Sequence, residues 1–216
     1  MLSWLRQWLP MQLFIIYLRY LIGAAFVFAS LIKIKGHRFT TEDGTAAPLH
    51  SAWHFFETMY QSGLYWHFIG VAQLLAGLLL MTQRYARLGA LLFLPIIANI
   101  FVITLSFDFG YTPVITGFML LANLLLVWWE WPVLRVLLNQ APGALPATQL
   151  GPSGTWELTG LALFLFTFGY RALYDQYTIL LWAGVCLLLG LLGLVIGLRR
   201  RPVARASRSQ AGYLVD

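Results

Sequence analysis

The chain has 216 residues, of which 60% are hydrophobic and only 10% are charged, and it carries a net charge of +6 at neutral pH. A soluble domain of this length could not bury so large an apolar fraction in one core, so the composition excludes an ordinary globular protein. It predicts a polytopic membrane protein that is surrounded by lipid and has no nucleic-acid partner.

Six apolar segments are near the length of about 20 residues that a helix needs to cross the hydrocarbon core. They are predicted at Leu13–Ile32, Leu64–Met81, Leu88–Ser106, Pro113–Trp131, Trp156–Tyr170 and Thr178–Leu198. Helices are expected because these segments are apolar on every face, whereas the strands of a membrane barrel alternate. The first segment is longer than the apolar part of a signal peptide, so it is expected to be a retained span.

The connections between these segments predict the domain organisation of an all-α protein. Short turns between the first four spans predict an antiparallel four-helix bundle over residues 1–138. A segment rich in Pro, Gly and Ala, residues 139–155, is the predicted linker to a transmembrane hairpin over residues 156–198. Residues 199–216 are predicted to form a basic cytoplasmic tail.

The distribution of Lys and Arg predicts the orientation, because positive residues are retained on the cytoplasmic side. The larger group lies on the side of both termini: Arg6, Arg84, Arg87, Arg135, Arg199, Arg200, Arg201, Arg205 and Arg208. The smaller group lies on the other side: Lys33, Lys35, Arg38 and Arg171. The expected location is therefore the bacterial cytoplasmic (inner) membrane, with both termini in the cytoplasm.

The longest outer connection, between Lys33 and Gly63, is expected to contain an amphipathic helix at about residues 50–62 with Ser51 as its N-cap. His50, His54 and Glu57 follow each other at spacings of four and three residues, so they would share one helix face. They are candidate metal ligands. The alternative is that they form only a polar face at the membrane interface.

Each of the first four spans carries a polar side chain, which is costly in hydrocarbon and therefore indicates a function. Gln73, Asn99 and Asn123 are expected near mid-depth, and Arg19 is expected close enough to the cytoplasmic end to reach Glu130. Together these five residues predict a central pocket for a small amphipathic ligand. The alternative is that the amides only join helices and that Arg19 extends to the headgroups.

Two further patterns concern helix packing. Gly63, Gly70 and Gly77 recur every seven residues, and Gly193 with Gly197 forms a second pair of small residues, so both sets are expected to permit close helix contact. The second pattern is a proline inside a span. Pro95 should kink its helix and free a carbonyl that a neighbouring polar group must satisfy.

Several kinds of chemistry are disfavoured by the sequence. The single cysteine, Cys186, cannot supply the thiol pair that disulfide exchange requires. No glycine-rich nucleotide motif and no nucleophile elbow occur, which argues against a nucleotide cofactor or a hydrolase. All four histidines lie near one outer segment, which argues against a haem held between facing helices.

Three stretches resemble the DoxX-like family of bacterial membrane proteins. They are YLRYLIGAAFVFASLIK at residues 17–33, GLYWHFIGVAQLLAGLLL at 63–80 with RYARLGA at 84–90, and NIFVITLSFDFGYTP at 99–113 with MLLAN at 119–123. The resemblance covers residues 12 to 138 and implies a four-helix membrane bundle. It also implies an association with thiosulfate:quinone oxidoreductase and terminal oxidase complexes, although most relatives have no established activity.

The sequence thus predicts an integral membrane protein of unassigned activity, and it leaves open whether the protein is an enzyme. The first hypothesis is a redox-associated subunit that binds a quinone among the five polar residues. The second is a noncatalytic scaffold or accessory subunit that holds a membrane protein partner or a second copy of itself. A small-molecule transporter is the third.

Overall fold

The computed structural model describes residues 3–40, 42–143, 150, 154–175 and 178–200. Every regular element in these ranges is helical, which confirms the all-α prediction. The α-helices are α1 Ser3–Gln7, α2 Leu9–Ile34, α3 Ala52–Gln61, α4 Leu64–Met81, α5 Ala86–Ser106, α6 Thr112–Leu134, α7 Gly154–Leu173 and α8 Ile179–Arg199. A 3₁₀ turn at Arg135–Leu138 extends α6.

Within the described part of the chain, five helical segments are long and apolar enough to cross a membrane: α2, α4, α5, α6 with its 3₁₀ turn, and α8. Their positions agree with five of the predicted spans. The other predicted span, at Trp156–Tyr170, lies in α7, which does not meet the same standard. Glu157 near the start of α7 and Arg171 near its end make this helix less apolar than the others.

The helices pack in chain order around a common core. Among the closest pairs, α2 packs on α4, α4 on α5, and α5 on α6, while α6 returns to α2. Phe26 of α2 stacks on Phe93 of α5 with ring centroids 3.6 Å apart, and both rings are buried with Ile97 and Leu126. The interior of this group is therefore filled by side chains from all four helices.

Two of the predicted glycines bring α4 against α2. A Cβ on Gly77 would lie 2.8 Å from the carbonyl oxygen of Gly23, and a Cβ on Gly70 would lie 2.9 Å from the Cβ of Lys33. Only hydrogen atoms fit at these positions. Gly63 does not belong to this contact: it has a φ of 59°, with open space around it, and it precedes the first turn of α4.

Helix α7 packs along α2, and α8 packs on α7 and also contacts α2, where the Tyr17 hydroxyl donates to the carbonyl oxygen of Gly190 at 2.6 Å. Near one end, Gly160 packs on the backbone of Met81 and the ring of Tyr20; beyond the other end, Lys35 binds Asp175 at 2.8 Å. The predicted small pair of α8 also serves packing, because Gly193 faces Thr159 and Gly197 faces Trp156. The two C-terminal helices are thus attached to the first four through α2 and the end of α4.

The outer connection contains the predicted amphipathic helix as α3, and the hydroxyl of Ser51 accepts a hydrogen bond from the backbone N–H of His54 at 3.2 Å. These features confirm the expected helix and its N-cap. Most of the predicted linker, including residues 144–149 and 151–153, and the tail beyond residue 200 lie outside the described residues.

Candidate functional site

The five residues predicted to form one pocket lie in three separate places. Arg19 and Glu130 meet near one end of the helices, Asn123 lies between α5 and α6, and Gln73 with Asn99 lines a cavity. The helix contacts place Gln73 about level with Ala29, so it is roughly 15 Å along α2 from Arg19. The prediction of a single convergent pocket was therefore wrong.

The predicted reach of Arg19 to Glu130 is confirmed. Arg19 Nη2 lies 2.8 Å from Glu130 Oε1, and Arg87 Nε lies 2.7 Å from Glu130 Oε2. Arg19 Nη1 also donates to Gln83 Oε1 at 2.8 Å. Both carboxylate oxygens are occupied by cations, so this group joins α2, α5 and α6 electrostatically and offers Glu130 no free oxygen for a ligand.

Asn123 has a structural role next to the proline of α5. Its Nδ2 donates to the carbonyl oxygen of Ala90 at 3.0 Å, one residue before the carbonyl that Pro95 leaves without its helical donor. A polar side chain therefore bonds the carbonyl next to the one that Pro95 frees, and the prediction that a neighbour satisfies the freed carbonyl itself stays a prediction. Asn123 is fully buried but does not line the cavity.

The cavity lies between α2, α4, α5 and α6 on the side of the outer connection, and its volume is about 600 Å³. Its wall is mostly apolar and aromatic, and Phe39 and Phe56 of the outer connection contribute to it. Known small-molecule sites have volumes of about 300–1,000 Å³ and combine such walls with a few polar groups. The size and lining therefore suit a small lipophilic ligand.

Gln73 is the buried amide in this cavity. The residue is 2% exposed, its Oε1 is buried, and its amide has no hydrogen-bond partner among the described residues. An unsatisfied buried polar group costs about 1–3 kcal/mol. By contrast, Thr104 and Thr116 in the same wall are bonded to each other at 3.0 Å. Asn99 is an exposed member of the wall.

Lys33 is a cavity residue that sequence reasoning had placed only among the flanking charges. Its Nζ donates to the carbonyl oxygen of Ala29 at 2.9 Å and lies 4.7 Å and 5.2 Å from the ring centroids of Phe39 and Trp66. It forms no ion pair with any described residue. The rings supply about 0.5–2 kcal/mol, whereas burial of an ammonium costs several kcal/mol.

A helical pattern in the sequence could have indicated this position of Lys33. Ala25 and Ala29 precede it at intervals of four residues, so the three side chains share one face of α2, and all three line the cavity. Small side chains below a lysine leave room for its long stem to fold inward rather than toward the headgroups.

The expected metal ligands do not form a metal site among the described residues, where no group of three His, Cys, Asp or Glu side chains could hold an ion. His50 is exposed, while Glu57 is buried and bound at both oxygens by Arg38, at 2.7 and 3.0 Å. The hydrogen bonds from Arg38 hold the pKa of Glu57 below its usual value. Glu57 thus anchors α3 next to the cavity instead of binding a metal.

Comparison with known proteins gives one relative of unknown role. The chain is 38% identical to the uncharacterized protein YwoB of Bacillus subtilis (strain 168) over 91 residues, which is 42% of this chain and 56% of that protein. The matched region thus spans just over half the length of this relative. No family model matches the chain, and no solved structure matches it.

Proposed function

We propose that this protein is an integral membrane protein that binds a small lipophilic molecule in the cavity between α2, α4, α5 and α6. The observation that carries the proposal is the unpartnered amide of Gln73 inside an apolar space of about 600 Å³. A polar group is retained in such a place when a ligand satisfies it, because otherwise its desolvation is uncompensated.

The ligand class that the proposal names is a quinone. A quinone carbonyl accepts hydrogen bonds from the Gln73 Nε2 and the Lys33 Nζ, and a hydroxyl of the reduced ring donates to the Gln73 Oε1, which has no partner among the described residues. Its isoprenoid tail would suit the aromatic and aliphatic lining, which includes Phe26 and Phe68. Gln73, Asn99 and Lys33 replace the larger set in which Arg19, Asn123 and Glu130 were also ligand residues.

Four expectations from the sequence belong to this proposal. They are membership of the DoxX-like family, an antiparallel four-helix bundle with six spans in all, residence in the bacterial inner membrane, and cytoplasmic termini. The contacts of α7 support the count of six spans, because this helix extends along α2 from Tyr20 to the level of Lys35. The excess of Arg near the chain ends supports the orientation.

The test is lipid extraction from the detergent-purified protein, followed by measurement of quinone per protein chain. We expect quinone close to one per chain in the wild type and a loss of most of it in Gln73→Leu. Asn123→Leu is the matched control, because it removes a buried amide that lies outside the cavity.

Equal quinone in Gln73→Leu and Asn123→Leu would contradict the proposed site. A wild-type protein that carries no quinone but copurifies with one defined membrane protein would favour the scaffold hypothesis instead.

A further inference from the structure

Lys33 has no counter-charge among the described residues, although other charged residues lie at the same end of the helices. Those neighbours are bound to each other: Arg38 pairs with Glu57, and Lys35 pairs with Asp175. Among the residues that the structure describes, the Lys33 Nζ forms one hydrogen bond, to the carbonyl oxygen of Ala29. Burial without a counter-charge favours the neutral amine, so the charged form of Lys33 is stabilised when an anion enters the cavity.

Lys33 and Gln73 can contact the same headgroup. Helices α2 and α4 are antiparallel, since Gly77 faces Gly23 while Gly70 faces Lys33. Side chains lean toward the N-terminus of their own helix, so Lys33 leans inward along α2 and Gln73 leans outward along α4. The bond from Lys33 to Ala29 shows this inward direction, and Gln73 is about level with Ala29. The two polar groups therefore lie at similar depth in one cavity.

We propose that the cavity selects a lipophilic ring compound with an acidic hydroxyl, which it binds as the oxygen anion with Lys33 as counter-charge. The inference rests on the proposed ligand cavity and specifies the headgroup it accepts. On binding, the hydroxyl proton passes to the Lys33 amine, which becomes the ammonium counter-charge, and no covalent bond forms. Gln73 contacts a second polar atom of the same ring, and the tail or ring body occupies the apolar lining.

The experiment compares two probes of similar shape, 4-nitrophenol and 4-nitroanisole, of which only the first can ionise. Binding to the full chain in detergent is measured by equilibrium dialysis, and the phenolate absorbance reports the ionised form. We expect 4-nitrophenol to bind as phenolate at a pH at which it stays neutral in empty micelles. Its affinity should fall ~10-fold or more in Lys33→Met, because the phenolate loses its counter-charge.

The matched control is Lys35→Met, which removes a lysine two residues away that pairs with Asp175 outside the cavity. This variant should bind both probes like the wild type. Retained 4-nitroanisole binding in Lys33→Met shows that its cavity is folded.

Two other results would each overturn the inference. If 4-nitrophenol binds the wild type and Lys33→Met equally and stays neutral, Lys33 is not a counter-charge, while the cavity remains a ligand site. If neither probe binds the wild type, the ligand cavity itself fails, and the inference fails with it.

Discussion

Replacement of Glu130 by Gln should destabilise the fold far more than removal of Arg87, the more exposed of its two arginine partners. The substitution keeps the side-chain shape and removes the negative charge that Arg19 and Arg87 share. The Arg19 side chain is 12% exposed and cannot turn to water, whereas the Arg87 side chain is 49% exposed and can. Of these two arginines, Arg19 is thus the one left buried without its counter-charge.

The expected magnitudes follow from this difference in exposure. Removal of one partner of a buried ion pair costs about 3–5 kcal/mol, so Glu130→Gln should lower the free energy of unfolding by ~3 kcal/mol or more. An exposed pair contributes about 0–1 kcal/mol, so Arg87→Ala should cost no more than ~1 kcal/mol. The double variant Arg19→Met with Glu130→Leu should recover most of the loss, because the Arg19 charge is no longer left buried without its partner.

The free energy of unfolding can be measured by SDS titration in mixed micelles, with helicity followed by circular dichroism. The reasoning is refuted if Glu130→Gln and Arg87→Ala are destabilised equally, or if the double variant is no more stable than Glu130→Gln. Either result would mean that water or lipid headgroups reach Arg19 and that the pair is not effectively buried.

Two further predictions concern helix packing and the outer connection. Gly160→Ala should lower the free energy of unfolding by about 1–3 kcal/mol, because its Cβ would lie 2.8 Å from the carbonyl carbon of Met81. Gly169→Ala in the same helix has open space and should not destabilise; equal effects would contradict the close packing of α7. Arg38 lowers the folded-state pKa of Glu57. The ion pair between them therefore stabilises the outer connection fully above the ordinary carboxyl pKa of ~4.3, and this stabilisation is lost as the pH falls through the lowered pKa. The protection of the α3 amides, taken relative to their intrinsic exchange rate at each pH, should therefore fall at acid pH in the wild type but depend less on pH in Glu57→Gln, and identical pH profiles would rule out this role.

The candidate site could be predicted only in part. Gln73 and Asn99 were found because amides are rare in apolar spans, and Arg19 was correctly paired with Glu130 from helix rise and chain ends. The sequence could not tell which polar groups bond to each other and which stay open. That depends on the rotation and tilt of each helix, which neighbouring side chains set.

The sequence by itself determined the helical class, the position of five apolar helices and the N-cap of α3, because hydropathy, helix length and capping act locally along the chain. The tertiary structure alone decided the function of each polar residue. In the folded chain Asn123 donates a hydrogen bond to Ala90, Glu57 pairs with Arg38 and does not form a metal site, and Lys33 is buried in the cavity wall. These outcomes depend on distances between side chains far apart in sequence, and the packing of α2, α4, α5 and α6 sets those distances.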